Sequence, residues 1–290
     1  MKKTVIVTDS NTVLRRDQAE TLGIHIVHMP ILIGGEVFFE DINLSHDDFY
    51  EKLLSDTPIT TSQPTIDSVT MLWEELLRDY EEIVHIPTSR ALSAACETAQ
   101  LLAKEYGGRV HVVSNQRISV TQRQSVLDAV ALANAGWDAR RIKEYLEAVK
   151  AESSAYIMVG TLKYLKKGGR ITPAAAAIGT MLRINPVLQL RGEKLEPYAK
   201  ARGVKQARKI MIAAIRKDFE TRFSDVSDPA HMWLQMAYSY DLETALDFKA
   251  EVERAFPGFD IHMDPLSLSN ACHTGPGMLG LTCTRKLDCL

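Results

Sequence analysis

A chain of 290 residues with 46% hydrophobic and 24% charged side chains has the composition of a soluble globular protein, long enough for one large domain or two modest ones. Its net charge of −3 argues against a nucleic-acid binder, and no apolar run nears the ~20 residues that cross a bilayer. Lys2 and Lys3 give way quickly to Asp9, so no signal peptide is expected. Cys96, Cys272, Cys283 and Cys289 lack Cys-x-x-Cys spacing and fit free thiols in a reducing cytoplasm.

In chain order, Thr4–Val7 reads as an apolar strand ending in the polar turn Thr8-Asp9-Ser10-Asn11, with Leu14–Leu22 a short helix. Ile24–Ile33 and Val37–Phe39 flank Gly34-Gly35, a hairpin signal. Ser45 caps a helix to about Leu54, and Thr65–Tyr80 is an amphipathic helix with Val69, Trp73 and Leu76 on one side. Ile83–Ile86 is a buried strand, Leu92–Tyr106 is helical, Val110–Val113 is a strand, and Ile118–Asn134 and Ala139–Ala151 are helices. Strands alternating with helices predict a mostly parallel sheet with helices on both faces. The pattern changes near residues 151–155. Tyr156–Val159 is a strand, Val187–Leu190 and Leu195–Ala199 form a hairpin across Gly192, and Gln206–Asp218 is a helix. Met232–Ala237, Leu242–Phe256 and Ile261–Met263 follow as strand, helix and strand. The expected class is α/β in two domains, 1–152 with the parallel sheet and 153–290 with a mixed α+β sheet.

The most informative stretch is Leu162–Arg170, a basic turn ending Gly-Gly-Arg, followed by the small residues Thr172–Gly179. Thr172 can cap a helix there, Pro173 fits its first turn, and Ala174–Ala177 leave a bare face. A cationic turn beside such a helix suits an anionic headgroup. The apolar run Ile178–Leu182 beside it favours an amphiphilic anion such as a fatty acid. A basic surface loop joined to a core helix explains the same residues.

Polar clusters fall where strands end, the ligand-binding edge of open α/β sheets. They are Asp9-Ser10, Thr61-Ser62-Gln63-Pro64, Thr88-Ser89 with Ser93, and Ser114-Asn115. Each alone is explained by capping or turn formation. Together they line one crevice with hydroxyls, which donate to a carboxylate without adding charge. His273-Thr274-Gly275-Pro276-Gly277 predicts a tight, exposed turn that could aim His273 into a cleft, or a plain surface turn. Phosphate-binding glycine loops, a Gly-x-Ser-x-Gly elbow and metal-ligand spacings are absent from the sequence. His25 and His28 sit in an apolar stretch and read as packing.

In this order and spacing, the motifs resemble the DegV family, the fatty-acid-binding subunits of the bacterial fatty acid kinase system. The resemblance rests on Thr8-Asp9-Ser10, Thr61-Ser62-Gln63-Pro64, Thr88-Ser89, Leu92-Ser93 and Leu162–Ile171. It continues through Gly179 to Leu188, Lys200-Ala201-Arg202, and His273 with Gly275-Pro276-Gly277. It implies a two-domain carrier that buries one long-chain fatty acid in a tunnel between or beside its domains, with no other cofactor and no metal. By the same resemblance Thr61 and Ser93 bind the carboxylate, and His273 and Arg170 belong to its polar neighbourhood. Asp9, Ser10, Ser62 and Ser89 are supporting residues. Arg202 matches an arginine that engages the kinase catalytic subunit, or an anionic membrane surface. The implied output is acyl phosphate for phospholipid synthesis, in the cytoplasm. Ala94 stands where the family usually has glycine, Ser114-Asn115 replaces an Asp-Ser or Asp-Thr pair, Val120-Thr121-Gln122 replaces a stretch of small residues, and Asn185 replaces a frequent lysine. These departures bear on pocket shape and chain preference. Two other readings use the same residues: a hydrolase with Ser93 as nucleophile, His273 as base and Asp9 as orienter, and a regulatory protein that has lost its lipid.

Overall fold

The computed structural model describes residues 2–55, 57–172, 184–191 and 194–289. The chain forms two compact units, Met1–Lys150 with Ser267–Ser269, and Ala151–Leu266 with Asn270–Cys289. The first runs β1 (Lys2–Asp9), α1 (Arg16–Leu22), β2 (Ile24–Val27), β3 (Ile31–Ile33), β4 (Glu36–Phe38), α2 (His46–Leu54) and β5 (Ile59–Thr61). It continues α3 (Ile66–Leu76), β6 (Tyr80–Ile86), α4 (Ala95–Leu102), β7 (Val110–Val112), α5 (Ser119–Asn134) and α6 (Ala139–Ala148).

A four-stranded parallel sheet, order β2-β1-β6-β7, forms its centre. Covered by helices on both faces, β1 must be apolar throughout, which is why Val5-Ile6-Val7 does not alternate with polar residues. Val5 and Val7 pack with Ile83, Val69 and Trp73 of α3, and Cys96 and Ala99 of α4. Ile6 points to the opposite face. Helices α5 and α6 pack on the same sheet, α5 on β1 and β6, α6 on β6 and β7.

The expected strand Ile24–Ile33 is two strands. Its first part joins the parallel sheet as β2, and its second, after Pro30, forms a small antiparallel sheet of order β4-β3-β5. Gly34 and Gly35 both take positive φ, 61° and 94°, the conformation a two-residue hairpin turn requires. Helix α3 stops at Leu76, because Tyr80–Glu82 extend β6. Helix α4 starts at Ala95, which leaves Leu92 and Ser93 in the preceding turn.

Within α5, Asp128 is buried and accepts from Gln124 Nε2 at 2.8 Å. Burial pushes its carboxyl up to about 6, against the Gln124 hydrogen bond and the Arg117 charge. A raised folded-state pKa means the native chain holds more protons than the unfolded chain between pH about 4 and about 6. Stability falls as pH rises through that window and is flat above it as far as this group contributes. Thermal melts from pH 4 to 7.5 should show a slope that Asp128→Asn removes; equal slopes in both proteins would refute the assignment.

The second unit runs β8 (Ser153–Met158), α7 (Lys163–Gly168), β9 (Asn185–Arg191), β10 (Lys194–Ala201), helix Val204–Thr221 and β11 (Met232–Tyr238). Helix Leu242–Ala255, β12 (Ile261–Pro265), helix Leu268–Thr274 and β13 (Leu279–Arg285) follow. Its six-stranded sheet has order β10-β9-β8-β13-β11-β12, antiparallel except between β11 and β12. Met211, Ile215, Phe248, Leu234 and Leu281 are among its core. The expected alanine-rich helix after Thr172 and the Gly192 turn lie outside the described residues. Cys96, Cys272 and Cys283 are buried, Cys289 is exposed, and none of the four forms a disulfide.

Candidate functional site

In the first unit, β1 leads to β2 on one side and β6 to β7 on the other, so the winding reverses between the carboxyl ends of β1 and β6. Open α/β sheets hold ligands at such a switch point. Asp9 ends β1, and Thr88 lies just past β6. Asp9 accepts from Thr88 N at 2.6 Å, Thr88 Oγ1 at 2.9 Å, Asn11 N at 3.0 Å and Gln122 Nε2 at 3.2 Å. Burial pushes the Asp9 carboxyl above its ordinary value, against these donors, which favour the charged form. Asn11 Nδ2 donates to Thr88 Oγ1 at 2.8 Å, and Asn11 Oδ1 accepts from Ser267 at 2.9 Å and from Ser269. The carboxyl ends of β1 and β6 are therefore tied by one buried network.

Shared neighbours link the other hydroxyl clusters. Ser10 Oγ accepts from Met29 N at 3.0 Å, and Ser62 N donates to the adjacent Pro30 O at 3.2 Å. Thr61 ends β5, half-buried, with Ser62 exposed beyond it. Thr98 Oγ1 of α4 donates to Gln63 Oε1 at 3.0 Å. Ser93 N returns to Ser89 O at 3.1 Å, Ser93 Oγ accepts from Ala95 N at 3.2 Å, and Ser89 N donates to Arg117 O at 3.0 Å. The Ser89 hydroxyl is buried without a partner. Pro64 and Ala95, next in line after these motifs, border a small internal void of about 10 Å³ together with Val69 and Ala99. Asn115 lies beneath the rim instead of on it, 1% exposed and bonded to Ser125 Oγ at 2.7 Å.

The second unit gathers Arg170 and His273. The basic stretch is no open turn: Lys163–Gly168 is a short helix anchored by buried Leu165. Gly169 closes it in the left-handed region at φ 68°, and Arg170 N returns to Leu165 O at 3.3 Å. Arg170 Nη1 donates to Gly168 O. A Cβ on Gly168 would lie 2.4 Å from His273 Nδ1, so the missing side chain is what lets the imidazole sit against this helix. His273 does not open an exposed turn either; it lies near the end of helix Leu268–Thr274, half-buried, and Gly275 after it is buried. Burial, then the Arg170 charge, push His273 down to about 4, so it is neutral at pH 7. Arg202 follows β10 on an exposed stretch, with its amide donating to Gln206 Oε1 at 2.6 Å.

Gly275 has φ 74°, and a Cβ there would meet the Tyr164 ring at 2.3 Å; Gly277 has φ 75° with open space around it. Gly277→Ala should cost about 1 kcal/mol from backbone strain alone. Gly275→Ala adds overpacking and should cost about 2–4 kcal/mol in denaturant melts. Equal costs would mean that the ring moves aside freely.

His85, Ser267 and Ser269 escape a motif-based reading. Asn11 is read only as part of a polar turn and Gln122 only within the Val120-Thr121-Gln122 departure, neither as a partner in the Asp9 network.

Open parallel sheets hold small ligands at a switch point of this kind. The family model described as "Uncharacterised protein, DegV family" matches residues 3–286, and the chain belongs to the DegV family. A DegV domain-containing protein of Halalkalibacterium halodurans is 28% identical over 285 residues, 97% of this chain and 98% of the relative. The solved structure of a DegV family protein from Thermus thermophilus, described by its fatty acid binding, superposes with TM-score 0.88 at 28% identity over 98% of this chain and all of that one. That of DegV from Bacillus subtilis, described as a fatty acid binding protein, gives 0.84 at 26% identity over 99% of this chain and 100% of that one.

Proposed function

We propose that this chain binds one long-chain fatty acid and presents its carboxylate to a separate ATP-dependent fatty acid kinase subunit. Thr61 and Ser93 donate to the carboxylate, Arg170 supplies positive charge, and neutral His273 can donate through one ring nitrogen. Assigning these four residues to one headgroup rests on the resemblance of their motifs. What supports the binding reading is the match of this chain, along almost its whole length, to two proteins described as fatty acid binding, together with polar motifs at the carboxyl edge of the parallel sheet.

The physical logic is simple. Each buried methylene contributes about 0.8 kcal/mol, so an apolar channel supplies most of the affinity. An unpaired carboxylate would be costly, and hydroxyls satisfy it without neutralising it. One carboxylate oxygen can then attack the γ-phosphorus of ATP on the kinase, with ADP leaving and acyl phosphate formed for phospholipid synthesis. Both Asp9 oxygens are engaged by Thr88, Asn11 and Gln122, an arrangement that suits a structural carboxylate better than the orienter of a hydrolase. Cysteines that form no disulfide suit a reducing cytoplasm.

Denaturing extraction and mass spectrometry of protein purified from cells should recover near-stoichiometric long-chain acid. Recovery of none, with no uptake of oleate or palmitate, sinks the reading. Arg202, with exposed Lys200 and Lys205 beside it, belongs to the proposed contact with the kinase or an anionic membrane surface. A rim charge acts mainly on association rate. Arg202→Ala should therefore keep its fatty acid but slow acyl-phosphate formation several-fold, more at low salt than at high. Lost lipid with normal coupling would move Arg202 into the binding site.

A further inference from the structure

Strand β7 is an edge of the parallel sheet, and among the described residues no strand pairs with its outer side. Ile83 N donates to Arg109 O at 2.8 Å, and Val113 N donates to His85 O at 2.8 Å. Backbone groups alternate sides along a strand, so His111 faces β6 as Arg109 and Val113 do. Val110 and Val112 therefore turn N–H and C=O to the open edge. That edge borders an open groove of about 650 Å³. Its lining includes Glu97, Gln100 and Leu101 of α4, Lys104 in the turn that extends α4, and Lys143 of α6. Leu101 is 62% exposed, an apolar side chain beside a row of unpaired backbone groups. Such an edge is a template for another strand.

The charges beside the edge select its occupant. Glu97 and Lys104 stand two turns apart on one helix face, with Gln100 and Leu101 midway between them. Glu97 is held only by Arg90 at 3.8 Å, an exposed pair that is readily exchanged. A stripe with opposite charges at its ends and an apolar centre is complementary to its own reverse. A two-fold axis beside His111 sets β7 antiparallel to β7 of a second copy. Val110 of each copy then pairs with Val112 of the other. Helix α4 packs on Ile83 of β6 and on Val110 and Val112 of β7, which sets it about 5 Å from that axis. Two α4 helices then run antiparallel about 10 Å apart, a helix-packing distance. Glu97 of each copy meets Lys104 of the other, and Leu101 lies near its own image. Helix α6, which also packs on β6 and β7, repeats the pattern with Arg140 towards one end and Glu147 towards the other. We infer that β7 joins two copies of this chain edge to edge in an isologous pair, with the α4 stripes fixing the register.

The test is sedimentation velocity of the full chain from about 1 to about 200 μM, the range in which a modest interface assembles. The parent should pass from the mass of one chain to that of two. Hydrogen exchange at the Val110 and Val112 amides should slow over the same range, a readout that needs no variant. Leu101→Lys, at an exposed position, should weaken the pair about tenfold or more. Glu97→Lys and Lys104→Glu should each weaken it about tenfold, because each sets like charges together at both symmetric contacts. Combining Glu97→Lys with Lys104→Glu in one chain should restore the pair, since the stripe is again complementary to its own reverse. A parent that stays single at about 200 μM overturns the inference. So does a dimer that Leu101→Lys and both single charge reversals leave unchanged. A chain that stays single, yet whose Val110 and Val112 amides are protected by a peptide of the β7 sequence, overturns the second copy and makes an extended segment the occupant.

Discussion

An Asp9→Ala chain should unfold about 3–5 kcal/mol more easily than the parent, the largest single loss expected at any polar residue of the first unit. The size follows from what the carboxylate holds. It accepts from two backbone amides, a hydroxyl and a side-chain amide, all buried. Removing it leaves Thr88 N and Asn11 N without their acceptor and opens a small void, while Gln122 Nε2 keeps Thr8 Oγ1 and Ile86 O. Uncompensated buried donors cost about 1–3 kcal/mol each, reduced by whatever water enters. Relief of the carboxylate's own desolvation, which pushes its pKa upward, offsets part of this. Asp9→Asn keeps the shape but turns an acceptor into a donor facing donors, so its cost should be smaller, about 1–3 kcal/mol. Ser10→Ala, which removes one acceptor for Met29 N, should cost about 1 kcal/mol. Denaturant melts rank the three, and hydrogen exchange at the Thr88 amide should accelerate most in Asp9→Ala. An Asp9→Ala chain within 1 kcal/mol of the parent would mean that the network does not hold β1 to β6.

The first strand is legible in the sequence because burial on both faces forces an unbroken apolar run. The Gly34-Gly35 hairpin is legible because both of its central residues need positive φ. Other elements leave no such trace. β5 is three residues long, too short to show a period, yet it positions Thr61. β13 lies between β8 and β11 in the second sheet, but Leu-Gly-Leu-Thr-Cys-Thr-Arg offers neither a clean alternation nor a β-branched aliphatic run. Gly280 sits close to its neighbours: a Cβ there would lie 3.3 Å from Met278 Cε and 3.5 Å from Ile157 Cγ2. The hydroxyl clusters at strand ends are visible because ligand crevices lie there. Their partners are not, since Gln122 reaches Asp9 across 113 positions and Ser267 reaches Asn11 across 256. Local pattern cannot report such pairings. Gly275 and Gly168 show the same limit: their need for a missing side chain becomes visible only with the Tyr164 and His273 rings in place.

Replacing Thr61 and Ser93 together by alanine should lower affinity for a free long-chain acid by about 100-fold or more, and each single change by about tenfold. A hydrogen bond to a charged group contributes about 1.5–3 kcal/mol, which sets the single-variant figure. Stability should change little, because Thr61 is half-buried at a strand end and Ser93 lies in the turn ahead of α4. Ser93 also accepts from Ala95 N, so its variant should melt slightly lower, by about 1 kcal/mol. The methyl ester of the same acid separates headgroup from chain. It keeps the hydrocarbon but loses the charge, so the parent should bind it weakly and the double variant should discriminate acid from ester far less. Titration of acid and ester against parent, single and double variants gives the full cycle. If the double variant retains parental affinity for the acid, the carboxylate is held elsewhere and Thr61 and Ser93 only shape the rim. Ser93-dependent hydrolysis of the ester by the isolated chain would instead make Ser93 a nucleophile.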